Sequence, residues 1–403
     1  VWLEHTSPRE RRTLLAGFLG YAVDGFDFMI YTFVIPTLIT VLGMTRAQAG
    51  YLATAALVTS AAGGWAAGIL ADRYGRVRML QITVLWFAAF TCVCGFARSY
   101  PELLTARALQ GFGIGGEWSV GSVLVAETVA ARYRGRAAGL VQSSWAVGWA
   151  GAALAYALVY AWAPPALAWK ILFWLGIAPA FLVLYVRRQV VESRVPVARR
   201  VDPLDIFRPP LLRTTALCSL LCTGLLGGYY SVTTWLPTYL ATERHLSVGG
   251  TSTYLLVLIG GSFTGYLTSA WFSDAVGRRR GFMVFALGGM LLISTYTHLA
   301  ASDAVMLLLG FPLGFFISGI FSGTGALLTE LFPDAVRGSG QGFCYNIGRA
   351  LGAVCPALIG AASGRGSLGA AIAGVTVAAY VLVIAAAWAL PETRGRVLAT
   401  APV

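Results

Sequence analysis

Charge is scarce in this chain. Of 403 residues only 11% are Asp, Glu, Lys or Arg, with 17 acids against 29 bases. A typical soluble domain carries roughly 25%, so an ordinary water-soluble fold is excluded. Histidine occurs only as His5, His245 and His298, in the tail or near the ends of apolar runs, which argues against a histidine proton relay. The six cysteines (Cys92, Cys94, Cys218, Cys222, Cys344 and Cys355) all lie in apolar stretches with no His or Asp beside them. They read as small buried hydrophobes, and no metal site is expected. No nucleophile, base and metal set stands out, so an integral-membrane enzyme has no support. Gly111-Phe-Gly113-Ile-Gly115-Gly116 is a formal GxGxxG, but no strand precedes it. It reads as helix packing, since Gly111 and Gly115 lie one helical turn apart.

Apolar residues dominate instead, at 57% of the chain. Apolar runs of membrane-crossing length fall near 14–39, 50–71, 79–97, 103–127, 137–160, 168–187, 214–240, 252–272, 281–300, 304–328, 340–362 and 367–390. They predict an all-α polytopic membrane protein with 12 transmembrane helices. The net charge of +12 is distributed as the positive-inside rule requires. Arg73, Arg76, Arg78, Arg132, Arg134, Arg136 and Arg278 to Arg280 sit at even-numbered turns, whereas Arg46, Arg98, Arg244 and Arg365 fall on the other side. The pattern places both termini in the cytoplasm and leaves no nucleic-acid surface. Residues 187–213 are basic and proline-bearing, without a membrane-length run. The expected organisation is therefore a six-helix bundle over 1–186, a cytoplasmic linker over 187–213 and a second six-helix bundle over 214–403.

The halves repeat each other. Gly68 to Arg78 reads GILADRYGRVR, and Ala270 to Arg280 reads AWFSDAVGRRR, matching Asp72 with Asp274, Gly75 with Gly277 and Arg76 with Arg278. Glu127-x6-Arg134-Gly135 likewise matches Glu330-x6-Arg337-Gly338. Two motifs at equivalent places indicate duplication and pseudo-symmetric bundles. Asp72, Asp274, Glu127 and Glu330 lie at helix ends beside Arg76, Arg278, Arg134 and Arg337. They are expected to pair with arginines and helix N-termini as a cytoplasmic gate, the other reading being solvated loop charges.

Against this apolar background, two acids inside the first run are conspicuous. Asp24 and Asp27 lie three residues apart, so both are expected on one face of a helix. A carboxylate near the bilayer centre costs roughly 2.5–3.5 kcal/mol on insertion scales, so such groups are kept for a cavity or a partner.

Over essentially its whole length the chain resembles the major facilitator superfamily of transporters. Gly68 to Arg78 matches the superfamily's loop signature, Arg107-Ala-Leu-Gln-Gly111 resembles its fourth-helix RxxQG motif, and Pro391-Glu392-Thr393-Arg394-Gly395 resembles the tail motif of its sugar-porter branch. The resemblance implies two bundles facing across a central cavity that opens alternately to either side. It also places the first and fourth helices on that cavity. Asp27 is then expected to reach Arg107, with protonation of Asp27 releasing Arg107 and so coupling transport to protons. The alternative is a permanent structural ion pair. Asp24 and Glu117 are second protonation candidates, or neutral hydrogen-bonded groups.

Arg349 lies about 18 Å into the eleventh run by helix rise, in Tyr345-Asn346-Ile-Gly348-Arg349, with no acid in the same run. Its fork suits a carboxylate. It is expected to hold the substrate's anionic group, with Tyr345 and Asn346 adding hydrogen bonds. The alternative pairs it with Glu117 or Asp24 across the cavity. Gln142 and Ser143 stand at the matching positions of the fifth run. Among the aromatics Tyr31, Trp118, Trp145, Tyr229, Tyr230 and Trp235, the pair Tyr229 and Tyr230 are the best substrate contacts, because the seventh helix lines the cavity in this family. Tyr31 and Trp118 are further candidates.

Gly20-Tyr21-x-x-Asp24-Gly25-Phe26-Asp27-Phe28 resembles the first helix of sialate:proton symporters, and Gly115-Gly116-Glu117-Trp118 their fourth. Aromatic-acid:proton symporters share the DGxD and a Gly-Arg where Gly348-Arg349 stands, but lack the acid at Glu117. The sialate members lack the arginine. Both relatives imply proton-coupled uptake of an organic acid anion such as a monocarboxylate, aromatic acid or sialate. A proton-coupled sugar or polyol porter is the alternative, although the seventh run lacks paired glutamines; a metabolite or drug exporter is the other. The expected partners are a small organic acid, protons and the lipid bilayer, with no cofactor beyond the proton gradient. The protein is expected to be a monomer of the cell inner membrane.

Overall fold

The computed structural model describes residues 6–129, 134–178, 181, 203–299, 302–333, 336–364 and 366–394. Fourteen α-helices run through them: α1 Pro8–Val41, α2 Arg46–Tyr74, α3 Arg76–Cys94, α4 Tyr100–Thr128, α5 Arg134–Trp162, α6 Pro165–Leu175, α7 Leu211–Thr242, α8 Val248–Val276, α9 Arg278–His298, α10 Asp303–Gly319, α11 Thr324–Leu331, α12 Arg337–Gly352, α13 Val354–Ala362 and α14 Leu368–Ala389. Nine stretches are long and apolar enough to cross a membrane, with α10 and α11 forming one and α12 and α13 another. Together with α2, α4 and the shorter α6 they make the twelve spans, and the fold is all-α. Of residues 187–213, those from 187 to 202 lie outside the described residues. The remainder forms a 3-10 turn at Pro203–Phe207 and the start of α7.

The first helix begins at Pro8, six residues before its apolar run. A capping box explains the extension: Ser7 Oγ accepts from the Glu10 N–H at 3.2 Å, and Glu10 Oε2 accepts from the Ser7 N–H at 2.7 Å. Two backbone N–H groups at the helix start are thereby satisfied, and the basic segment Arg9 to Arg12 stays helical.

Duplication is visible in the backbone. Gly75 has φ 101° and Gly277 φ 108°, each at the sharp join between two helices. Residues with a Cβ are rarely found there. The first helix of each half also carries one internal proline, Pro36 in α1 and Pro237 in α7.

Within the first half α1 packs on α5, and α4 on both α2 and α3; within the second, α8 packs on α10, and α7 on α12 and α14. The α2–α4 crossing explains the glycine run of the fourth span. A Cβ on Gly111 or Gly115 would collide with the carbonyl oxygens of Ala56 and Ser60. These glycines let the backbones touch, as membrane helix contacts prefer.

Across the halves α1 meets α7, α5 meets α8, and α2 meets the eleventh span. The last contact seals the end of the molecule away from Gly75 and Gly277. There Thr54 Oγ1 donates to the Ala353 carbonyl at 2.6 Å, and Arg46 Nη1 reaches the Ser363 carbonyl at 3.5 Å. Trp235 Nε1 donates to the Pro356 carbonyl at 3.0 Å. Ala353 is where the eleventh span breaks between α12 and α13. Thr54 therefore satisfies a carbonyl at that break.

Candidate functional site

A chamber, partly continuous with solvent, lies between the two halves. The first helix presents Tyr21, Asp24 and Phe28 to it, a stripe at i, i+3 and i+7. α5 adds Gln142 and Trp145, and α7 adds Leu226, Tyr229 and Tyr230. α8 contributes Tyr266, the interruption of the tenth span contributes Phe321, and α12 contributes Tyr345 and Arg349, one turn apart. Leu57, Ser60 and Ile114 complete the lining.

Aromatic rings make most of the wall. Trp145 lies 5.1 Å from Tyr21 and 5.8 Å from Phe28, while Tyr229 meets Phe321 edge-on at 5.1 Å. Their polar ends are tied together. Gln142 Nε2 donates to the Tyr21 hydroxyl at 3.0 Å, and Trp145 Nε1 donates to the Tyr229 hydroxyl at 2.7 Å. The guanidinium of Arg349 is 5.3 Å from the Tyr345 ring centre and is met by Tyr230 and Tyr345. Only 7% of Arg349 is exposed. A buried cation, an acid and flat aromatic faces thus share one chamber, a constellation that suits a small anionic or strongly polar planar ligand.

The structure separates the two aspartates. Asp24 lines the chamber. Asp27, fully buried, turns instead toward α3 and α4. Three residues on a helix leave about 60° between side chains, enough to send the pair to different neighbours. The expectation that both share one face is corrected accordingly.

The expected Asp27–Arg107 contact is also corrected, because no direct ion pair joins them among the described residues. Two neutral side chains intervene. Arg107 Nη1 donates to Gln110 Oε1 at 2.6 Å, Gln110 Nε2 donates to Thr91 Oγ1 at 2.7 Å, and Thr91 Oγ1 lies 3.0 Å from Asp27 Oδ2. The Arg107 guanidinium lies 4.3 Å from the centre of the Tyr31 ring. Tyr31 in turn donates to the Ala49 carbonyl at 2.5 Å, so it serves this second cluster rather than the chamber.

Asn346 does not line the chamber. It lies one residue beyond Tyr345, about 100° round the helix, and its amide donates to the Gly342 carbonyl at 3.0 Å. The side chains of Glu117, Trp118, Asp72, Arg76, Glu127, Arg134 and Asp274 lie outside the described residues. Arg278 and Glu330 do meet, at 3.0 Å, and Arg337 Nε donates to the Thr329 carbonyl at 3.0 Å. Glu392 of the tail joins this end by accepting the Arg278 and Arg279 backbone N–H groups at 2.9 and 3.2 Å.

Several residues of the chamber and of the Asp27 cluster were not singled out from sequence. Tyr21 and Phe28 could have been found from their spacing around Asp24, and Gln110 from its place in the RxxQG motif. Thr91, Tyr266 and Phe321 carry no sequence signal of their own.

Twelve spans in two repeated halves, enclosing between them a largely aromatic chamber that holds an arginine and an acid, define a membrane transporter rather than an enzyme. Residues 17–270 and 258–402 match the Major Facilitator Superfamily, and the chain belongs to that family. It is 40% identical to a probable 4-methylmuconolactone transporter of Cupriavidus pinatubonensis, over 98% of this chain and 94% of that protein. It is 29% identical to a cis,cis-muconate transport protein of Acinetobacter baylyi, over 88% of each. The sialic acid transporter NanX of Escherichia coli is 28% identical over 95% of each. A crystal structure of a D-xylose-proton symporter shares the fold, with a TM-score of 0.75 at 19% identity, covering 97% of this chain and 100% of that one.

Proposed function

We propose that this protein is a proton-coupled symporter that takes up a small organic acid anion, with an unsaturated or aromatic skeleton, by alternating access. The observation that carries the reading is Arg349, a guanidinium buried in a chamber walled by aromatic rings. Its fork offers two parallel donors to a carboxylate, and the rings offer flat faces to a planar skeleton. The relatives named for muconolactone and muconate transport support such a cargo, and the sialic acid transporter shares with it only the organic acid.

The moving units are the bundles over 1–186 and 214–403, joined by the linker over 187–213. Arg278 with Glu330, and their counterparts in the first half, close the cytoplasmic end. Thr54, Arg46 and Gly50 against the eleventh span close the outer end. In this assignment the protein lies in the inner membrane with both termini cytoplasmic, as the distribution of arginines supports. Energy comes from the proton gradient through Asp27, with no cofactor. One chain builds the whole chamber, so a monomer suffices. Sugar transport fits less well, because a polyol needs many side-chain donors and acceptors, whereas most of this wall is aromatic.

The test is uptake into proteoliposomes of labelled cis,cis-muconate, 4-hydroxybenzoate, sialic acid and xylose under an inside-alkaline pH gradient. Accumulation of an acid that a protonophore collapses is expected. Accumulation untouched by the protonophore removes proton coupling, and accumulation of xylose alone removes the organic acid.

A further inference from the structure

The cluster around Asp27 has a polarity that its hydrogen-bond chemistry fixes. Arg107 can only donate, so the Gln110 atom 2.6 Å from Nη1 must be its carbonyl oxygen. The Gln110 amide nitrogen then faces Thr91, and it can only donate to the hydroxyl oxygen at 2.7 Å. Thr91 is left with one proton and one lone pair. It has two further neighbours, Asp27 Oδ2 at 3.0 Å and the Phe87 carbonyl at 2.8 Å.

One proton cannot serve both neighbours fully. With Asp27 ionised, Thr91 donates to Oδ2 and gives up its bond to Phe87. With Asp27 protonated, the carboxyl donates to the remaining lone pair of Thr91, and Thr91 donates to Phe87. All of the contacts are then satisfied together, with no heavy atom moved.

We infer that Thr91, oriented by Gln110 and Arg107, is a positioning residue that accepts from or donates to Asp27 according to whether that acid carries a proton. The step balances. A proton from solvent forms the O–H bond on Oδ2, the Thr91 proton rotates from Asp27 to the Phe87 carbonyl, and no other bond forms or breaks. Arg107 on α4 and Cys94 on α3 are the charged and titratable groups that face Asp27 from the neighbouring helices, and Tyr31 and Asp24 are the groups on its own helix, among the described residues. The inference rests on the proton-coupling role assigned to Asp27, but its test does not require transport.

Infrared difference spectra of the reconstituted full chain, perfused from acid to alkaline buffer, contain the C=O stretch of each carboxyl that loses its proton. The band missing in Asp27→Asn belongs to Asp27. In Thr91→Val the ionised form loses a charge-assisted hydrogen bond while the protonated form loses only a neutral one. The midpoint of the Asp27 band should therefore move about one pH unit toward alkaline, and the C=O stretch itself should shift. Thr91→Ser, which keeps the hydroxyl, should match the parent in both respects. Where Thr91→Val does not yield folded protein, Thr91→Ala carries the same expectation. An unchanged midpoint in the variants lacking the hydroxyl overturns the inference. So does a serine variant that moves as far as valine, or the lack of any band assignable to Asp27. Failure of proton-driven uptake in the parent protein, with the band behaving as described, would overturn the symport reading and leave the Thr91 assignment standing.

Discussion

The indole N–H of Trp145 on α5 donates to the hydroxyl of Tyr229 on α7 at 2.7 Å, a hydrogen bond from one half of the protein to the other across the wall of the chamber. Rocking the bundles apart must stretch or break it. A buried bond of this kind contributes about 1 kcal/mol net, which makes it a weak latch. Tyr229→Phe keeps the ring against Phe321 and loses this bond together with the hydroxyl's hydrogen bond to Tyr266. Transport rates are expected to change by roughly fivefold, with substrate affinity less affected. Trp145→Phe removes the indole donor but leaves the Tyr229–Tyr266 hydrogen bond in place, so it should change the rate in the same direction, and the double variant should be no worse than Tyr229→Phe alone. Additive effects in that cycle would show that the two residues act separately.

Arg349 presents the sharper test of cargo. Lysine at this position keeps the charge but not the planar fork, and its point charge cannot donate two parallel bonds to a carboxylate. Arg349→Lys should weaken binding of the transported acid by roughly tenfold or more, and Arg349→Gln by more than Arg349→Lys. The measurement is the ligand-dependent rise in melting temperature of the purified protein, which tracks affinity for the folded state. If Arg349→Lys retains parental affinity, the carboxylate is held elsewhere.

What the sequence revealed and what it concealed follow from one physical distinction. Apolar runs, basic turns and the twin motifs at Gly68–Arg78 and Ala270–Arg280 are local, and they yielded the spans and the duplication. Arg349, Tyr345, Tyr229, Tyr230, Gln142 and Asp24 were legible because polar or aromatic groups stand out at helix positions that should face a cavity. Tyr266 and Phe321 were not, because nearly every face of these helices is apolar and only tertiary packing decides which residue turns inward. Asn346 was misplaced by a single residue's rotation. The Asp27–Arg107 link was misjudged because Thr91 comes from α3, whose approach to the first helix has no trace in the spacing of either.

Glu392 offers a prediction about stability. Burial would raise the proton affinity of its carboxylate, but the backbone N–H groups of Arg278, Arg394, Arg279 and Thr393 outweigh that and hold it below its ordinary value of 4.5. A depressed value in the folded state means that the carboxylate stabilises the fold above pH 4.5, and that this contribution fades as the pH falls through the lower, folded value. Glu392→Gln should lose about 1–2 °C in melting temperature at neutral pH, the scale of one lost helix cap in a chain this long. The gap between the variant and the parent should narrow on acidification, when the parent becomes protonated too. Scanning fluorimetry of both proteins from neutral to acidic pH measures it, and a gap that stays constant would mean that the carboxylate does not hold the start of α9.

Gly50 tests the seal opposite the Gly75 and Gly277 loops. A Cβ there would lie 2.6 Å from the Pro356 carbonyl oxygen and 2.8 Å from the Ala357 Cα, so α2 and the eleventh span meet with no room for a side chain. The contact is with backbone, which cannot swing aside as a flexible side chain can. Gly50→Trp should therefore prevent this end from closing while leaving the chamber residues untouched. Transport should fall by more than tenfold, because alternating access needs both ends to close in turn, whereas binding of the substrate should survive. The two effects are separable by counting uptake in proteoliposomes and measuring ligand-induced thermal shift on the same preparation. A cysteine placed at Leu57, which lines the chamber, should also become more reactive toward a membrane-impermeant thiol reagent added from this side, once the native cysteines are replaced. Normal uptake by Gly50→Trp would show that closure of this end does not depend on the α2 contact with the eleventh span.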